Sequence, residues 1–556
     1  MTRIALGLMI LIAPAVAVAA AALEPAGSQW HGPPADPAGW PAPTHYIAPD
    51  GDDDNDGLSP ERPWGTFAHA IARLRAGDTL ALLDGDYTLD TTGMLSIESG
   101  HGGPAWHGLP DAPITVRALN ERRAVLHSDG LTPAIWVGHA RYWNVLGLTV
   151  LGADTPTDQR NPRHRLPGME PVYAIVDVYH SRDIALKRIL AANSNRLGLN
   201  ANNHIYLVHD SQHITLEECE AYNHHRHAFI SWQTEYVTYR RCYVNTRDHF
   251  ETHGEDPDLK AAIGHRRFGD EAIAYYRGSR GTVENCIIEG RNVGFHSHGG
   301  LTFASNYGGC YNRFLGCIAI DTWHASRIDA RLAPYVQVRP AIGNYFKDFL
   351  VVGSVAGNGL WYSTVIDQVA ENVTIHRGAG NGFVADSRAD ASCELVRPWG
   401  RCSHVLRNAL VFGRDGAGIT TTPHYDFLVE YSNSWDNHVE NWNPLEPLDD
   451  DSGNIRRSMS VRPTKMGLGP GEAIVFVPEG SNMKGAGKDG ADIGANVIYR
   501  YVGGELTGEP LWNPETGEFP HGALVEGIND VPGESLFDVH TRLNIGGEGL
   551  PLPYAR

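Results

Sequence analysis

His213-Ile-Thr-Leu-Glu-Glu-Cys219, Tyr236-Val-Thr-Tyr-Arg-Arg-Cys242, Arg280-Gly-Thr-Val-Glu-Asn-Cys286 and Tyr311-Asn-Arg-Phe-Leu-Gly-Cys317 can be laid on one another, each heptapeptide closing on cysteine. The closing position stays apolar beyond them, at Leu148, Ile189, Phe349, Val373, Ala409 and Tyr431. The shortest spacings in the series are 22 to 24 residues, and longer ones read as the same unit carrying an inserted loop. Each unit consists of short β-branched runs broken by Asn and Gly turns, without the leucine and asparagine spacing of a leucine-rich repeat. The reading is an all-β solenoid, a single-stranded right-handed parallel β-helix. Equivalent residues then stack about 4.8 Å apart, which puts the four cysteines on one internal ladder of unbonded thiols.

Composition agrees with this. The 556 residues include 62 glycines and 34 prolines, which means many turns, and 42% are hydrophobic, enough for a long core. A formal charge of −20 excludes a nucleic-acid partner and a basic membrane patch. The charge is uneven, because residues 222–331 hold 13 Lys/Arg against 12 Asp/Glu, with 9 of the 27 histidines. That zone is suited to an anionic ligand, and equally to a mixed solvated surface.

Residues 1–22 read as a signal peptide, with Arg3, an apolar run from Ile4 to Val18 and small residues to Ala22. Its removal leaves no membrane span, so a periplasmic or secreted monomer is expected. Residues 23–45 then form a linker, 46–495 the β-helix, and 496–556 a Gly/Pro-rich tail packing on it. Cys393 and Cys402 lie in an insertion that they either bridge or leave open.

A second repeat position carries the functional reading. Bulky residues recur at Leu199, Phe229, Phe250, Phe295, Ile328, Leu360 and Phe383. If these point inward, strand alternation sends the next residue and the third outward. The outward pairs are Asn200/Asn202, Ile230/Trp232, Glu251/His253, His296/His298, Asp329/Arg331, Trp361/Ser363 and Val384/Asp386. Acids, three histidines and an arginine thus converge between Trp232 and Trp361, a mixture that suits a sugar chain better than plain solvent. Insertions at 254–271, 299–311, 332–343 and 387–402 would wall this strip, the first bringing Lys260, Arg266 and Arg267.

At the N-terminus, Tyr46-Ile-Ala-Pro-Asp-Gly-Asp-Asp-Asp-Asn-Asp-Gly-Leu-Ser-Pro-Glu-Arg-Pro-Trp-Gly-Thr-Phe67, a short helix over 68–75, and the runs Ala76–Leu80 and Gly85–Tyr87 resemble a known opening. They are similar to the cap and first coil of pectate-lyase-like β-helix proteins, especially family 9 polysaccharide lyases. The resemblance covers about 45 residues and implies a lyase acting on an anionic polysaccharide, with calcium as cofactor. Asp248 and Glu251 are its thin echo of the family's calcium site. The Asp50–Asp56 loop is a second oxygen-rich candidate, though a polar cap turn explains it more simply.

β-Elimination from a uronate requires a neutralised C6 carboxylate, a base for the C5 proton and an acid for the leaving oxygen. Arg331, Arg266 and Arg267 suit the first task, Lys260 or His296 the second, His298 or His253 the third. The chain departs from the family at Asn292-Val-Gly-Phe-His296, where a lysine would follow the Gly-Phe turn; with His296 in its place, a calcium-independent histidine mechanism stands as the alternative to calcium-assisted cleavage. Rival readings are glycoside hydrolysis or epimerisation, with Glu251 and Asp329 as a carboxylate pair, a metal site on Glu251, His253, His296 and His298, and a glycan-binding protein without catalysis.

Overall fold

The computed structural model describes residues 31–511 apart from 101–102, 154–172, 195–202, 223, 225, 246–270, 290–300, 307–308, 330–340, 355–356, 364, 387–402, 422–425, 444–452, 455–463, 466–473 and 478. The chain is a right-handed parallel β-helix. One coil shows the plan. His227–Trp232 lies in a 13-stranded sheet, Glu235–Arg240 turns into a second face, and Tyr243–Asn245 forms a third. The preceding coil meets it strand for strand, Tyr206 opposite Phe229, Ile214 opposite Val237 and Ala221 opposite Val244. In later coils the second and third faces merge into single bent strands, such as Tyr345–Ser354 and Ser403–Arg414.

From the coil of Arg141–Leu146 onward, the corner between those two faces is made the same way. Gly147, Arg188, Glu218, Arg241, Asn285, Gly316, Asp348, Asn372, Asn408 and Tyr431 all have φ between 49° and 68°. A single left-handed residue turns the chain sharply, and most of these are not glycine. Tertiary packing of the following inward residue therefore holds the strain.

That following residue is the cysteine position. Cys219, Cys242, Cys286 and Cys317 are buried and unbonded to one another. Each thiol instead donates to backbone carbonyls, as Cys219 does to Leu186 and Cys317 to Leu315. The ladder ends one residue later than the sequence suggested: Ser432, not Tyr431, stands opposite Ala409, and Tyr431 occupies the left-handed corner. Burial pushes these thiols well above the usual range, which suppresses the thiolate. Alkylation of the native protein, read by peptide mass mapping, should leave all four unmodified, and unfolding in guanidinium should expose them together. Labelling of any one in the native state would remove it from the ladder.

The N-terminal end is closed by the helix Phe67–Arg73, which buries Phe67, Ala70 and Ile71. Thr66 caps it, and Asp53 accepts from the Gly65 and Thr66 amides and from the Thr66 hydroxyl. Asp52 and Asp56 likewise accept from the Asp54 and Leu58 amides. These aspartates are occupied in shaping a cap turn. At the other end, residues 499–510 form a hairpin laid on the coils. Tyr501 donates its hydroxyl to Asp348, and the Gly504 amide reaches Glu284 at 2.5 Å.

Strand register corrects the second repeat series. The strands that follow His227–Trp232 in the 13-stranded sheet are Glu271–Tyr276 and Leu301–Asn306, with Phe229 opposite Ile273 and Ile273 opposite Phe303. Residues 271 and 301–306 had read as insertion. Phe250 and Phe295 instead fall in the connecting segments outside the described residues. Phe-x-Thr-His and Phe-x-Ser-His alternate as well as Ile-Ala-Tyr-Tyr does, so a period of two could not choose between them. Further along, Ile328 faces Tyr362, and Ser326 faces Leu360, a shift of two residues.

Candidate functional site

The outer face of the 13-stranded sheet is built from two columns of side chains. One runs Ser96, Trp136, Asp177, Leu207, Ile230, Ala274 and, one strand beyond, Arg327, Trp361, Val384. The other runs Glu98, Gly138, Tyr179, His209, Trp232, Tyr276. Segments outside the described residues join this sheet at both edges. Those at 154–172, 195–202, 246–270 and 290–300 precede its strands, and those at 330–340 and 387–402 follow them.

Its N-terminal part gathers ionisable and aromatic groups. His209 Nε2 lies 3.0 Å from Asp177 Oδ1, and its Nδ1 lies 3.6 Å from Asp210 Oδ2. Burial opposes a charge on this ring, but the Asp177 and Asp210 carboxylates outweigh it and raise the pKa to about 9. Tyr179 stacks on His209 with ring centres 4.4 Å apart. Burial, then Asp210, Asp177 and Glu98, raises the Tyr179 hydroxyl above its ordinary value. Trp136 donates to Glu98 at 2.6 Å, and His139 stacks on His180 at 5.3 Å.

The middle of the face is apolar. Leu207, Ile230 and Ala274 pack with Ala174, Tyr276 and Trp232 into a cluster separate from the helix interior. Beside it, where the strands begin, His227 Nδ1 meets His204 Nδ1 at 2.9 Å and its Nε2 meets the Tyr276 hydroxyl at 3.2 Å and Glu271 Oε2 at 3.4 Å. Both His227 and Glu271 are almost fully buried. Among the described residues, no group of three or more His, Cys, Asp or Glu side chains is arranged to hold a metal ion. Towards the C-terminal part, the Arg327 guanidinium lies 5.0 Å from the Trp361 ring centre, and His324 lies 5.1 Å from it.

Of the residues singled out from sequence, Trp232 and Trp361 both lie on this outer face, four strands apart, which is about 19 Å. The Asp329 backbone pairs with Ser363 on the same sheet. Asn200, Asn202, Asp248, Glu251, His253, Lys260, Arg266, Arg267, His296, His298 and Arg331 lie outside the described residues, as do Cys393, Cys402 and residues 1–22. Sequence reading missed Glu98, Trp136, Asp177, Tyr179, His209 and Asp210. The signal was present: Asp-Val-Tyr-His-Ser181, Leu-Val-His-Asp-Ser211 and Ile-Ser-Trp-Gln-Thr234 share one alternation and end on one hydroxyl. Those hydroxyls form their own ladder, with the Ser181 amide donating to Ser211 Oγ at 3.0 Å.

No known family profile matches the chain, and no curated protein matches it. Among solved structures, it is similar to the pectate lyase Pel9A, at 16% identity and a TM-score of 0.46 over 82% of this chain and 96% of that one. It is also similar to the PL6 family polysaccharide lyase Pedsa3628 from Pseudopedobacter saltans, at 14% identity and 0.45 over 68% and 86%. A third is the GH136 lacto-N-biosidase from Eubacterium ramulus, at 10% and 0.39 over 62% and 64%. The β-helix assignment here rests on the strand register itself. No described helix is long and apolar enough to cross a membrane.

Proposed function

We propose that this chain is an exported polysaccharide-degrading enzyme that lays its substrate along the outer face of the 13-stranded sheet and cleaves a uronate-containing chain by β-elimination. The observation that carries it is the row of partly exposed rings Trp136, Tyr179, Trp232 and Trp361 on one face, with ionisable side chains between them. Flat rings match the C–H faces of sugars, and a scaffold of stacked strands keeps them in line. In this reading Arg331, Arg266 and Arg267 neutralise the uronate carboxylate. Lys260 or His296 takes the C5 proton, and His298 or His253 serves the leaving oxygen. Trp232 and Trp361 act as sugar platforms, Asn200, Asn202 and Asp329 as hydroxyl partners, and Asp248 and Glu251 as ligands should calcium assist.

The test is incubation of the full chain with a panel of uronic-acid polysaccharides, followed by ultraviolet absorbance of the unsaturated product. Rising absorbance on one member, absent on neutral glycans, is expected. Release of reducing ends without that absorbance would overturn elimination in favour of hydrolysis. That second reading has its own support, since Glu98 and Asp177 stand two coils apart and two residues out of register, about 12 Å at the backbone, from which side-chain reach leaves a separation open to an inverting pair.

A further inference from the structure

The N-terminal coils of the outer face differ in charge from the site proposed for the reaction. Glu98, Asp177 and Asp210 place three carboxylates within four consecutive coils. His209 is engaged by Asp177 and Asp210, and His139 Nε2 lies 3.9 Å from Glu98 Oε1. Among the described residues, neither Lys nor Arg forms an ion pair with any of these three acids. The rings between them are held in place. Trp136 is fixed by its bond to Glu98, with Tyr179 tilted against it at 5.8 Å and His139 edge-on to Tyr179 at 5.5 Å. Glu98 nonetheless keeps 30% of its side chain in solvent, and Asp210 keeps 22%.

We infer that these coils form a subsite for an uncharged sugar ring, at the end of the cleft away from Trp361. The inference rests on the reading of this face as a glycan cleft and narrows the substrate within it. A neutral hexose offers C–H faces to Trp136 and Tyr179 and hydroxyl donors to the exposed oxygens of Glu98 and Asp210. A uronate placed there would add a fourth carboxylate to three, with imidazoles, and neither Lys nor Arg, paired to them among the described residues. Like charges so close reject a ligand more effectively than a poor fit does. The substrate is therefore a chain in which neutral sugars alternate with, or flank, the uronate that is cut. A uniform polyuronate would have one residue repelled at this end.

The test uses the full chain and two probe sets, neutral gluco-, manno- and galacto-oligosaccharides and oligogalacturonates or oligomannuronates, with binding measured by calorimetry. At least one neutral probe should bind, and Trp136→Ala should weaken it by about tenfold or more, as loss of a central aromatic anchor does. Glu98→Gln, which keeps an acceptor for Trp136 and the side-chain shape, should also weaken the neutral probe and leave oligouronate binding equal or tighter. Neutral binding unchanged in both variants would overturn the subsite, and so would an oligouronate bound more tightly by the wild type than by Glu98→Gln. Elimination activity is read separately. If activity on a polyuronate is found and these variants change nothing, the subsite fails and the function stands. If no uronate polymer is cut but Trp136→Ala and Glu98→Gln lose the neutral probe, the reverse holds.

Discussion

Glu217→Ala will lower the stability of the β-helix by about 3–5 kcal/mol, the cost of leaving buried charge without its partner. Glu217 is 5% exposed and receives Lys187 at 2.6 Å, Arg241 at 2.5 Å and Arg240 at 3.5 Å. Burial alone would raise its pKa, but the three cations hold it down at about 2. The folded value lies below the ordinary 4.5, so this stabilisation is complete above pH 4.5 and disappears as pH falls through 2. A shift of that size corresponds to about 3 kcal/mol, in line with the mutational figure. Urea unfolding at neutral pH should show the lowered midpoint with an unchanged slope, and acid titration of the variant should lack this step. A loss below about 1 kcal/mol would place the pair with ordinary surface bridges.

The same residues show how much of the fold the repeats disclosed. Glu217, Arg240 and Glu284 are the fifth residues of three of the aligned heptapeptides, and in the structure they form a column with Lys187. The sign alternates from coil to coil: Lys187, Glu217, Arg240, Glu284, and later Lys347, Glu371, Arg407, Glu430. Neighbours pair directly, as Lys347 does with Glu371 at 3.2 Å. Leu-Glu-Glu-Cys followed by Tyr-Arg-Arg-Cys was on the page, but its meaning depends on knowing that the coils are adjacent. Slipping one coil past the next would set like charges opposite, so the ladder fixes register where identical cysteines alone would not.

The site was less legible than the scaffold for a physical reason. From Gly147 onward the corner after the second face repeats one constraint per coil, a left-handed turn followed by a small or apolar inward residue, with no residue inserted. The 13-stranded sheet is joined on both edges by connections of variable length, so the distance from the cysteine corner to the equivalent inward residue is 10 residues from Cys219 to Phe229 but 31 from Cys242 to Ile273. With variable spacing, a two-residue alternation picks any Phe-x-small-x run. Trp232 and Trp361 were placed on the correct face because their strands flank short connections. The columns around 251 and 296 were drawn from runs that precede the true strands.

Asp177→Ala will collapse the raised pKa of His209 and cost about 3 kcal/mol at neutral pH. Two-dimensional NMR of the wild type should show one histidine titrating near pH 9 rather than 6.5, and loss of Asp177 should move it down. Here the folded value lies above the unfolded one, so the stabilisation is full below pH 6.5 and is lost as pH rises through 9. The displacement of about 2.5 pKa units is worth about 3 kcal/mol, and with side chains only 9% and 4% exposed there is little solvent to screen it. The stability gap between wild type and variant should therefore narrow across that interval. A gap constant with pH, or a wild-type histidine titrating below 6.5, would show that the pair is held as a neutral hydrogen bond. The consequence for chemistry is direct. A ring that stays protonated at neutral pH, with both nitrogens facing carboxylates, is no base for a sugar C5 proton. His209 is a positioning residue: it neutralises one of two adjacent acids and gives Tyr179 a flat surface to stack on. The proton must be taken elsewhere along the face.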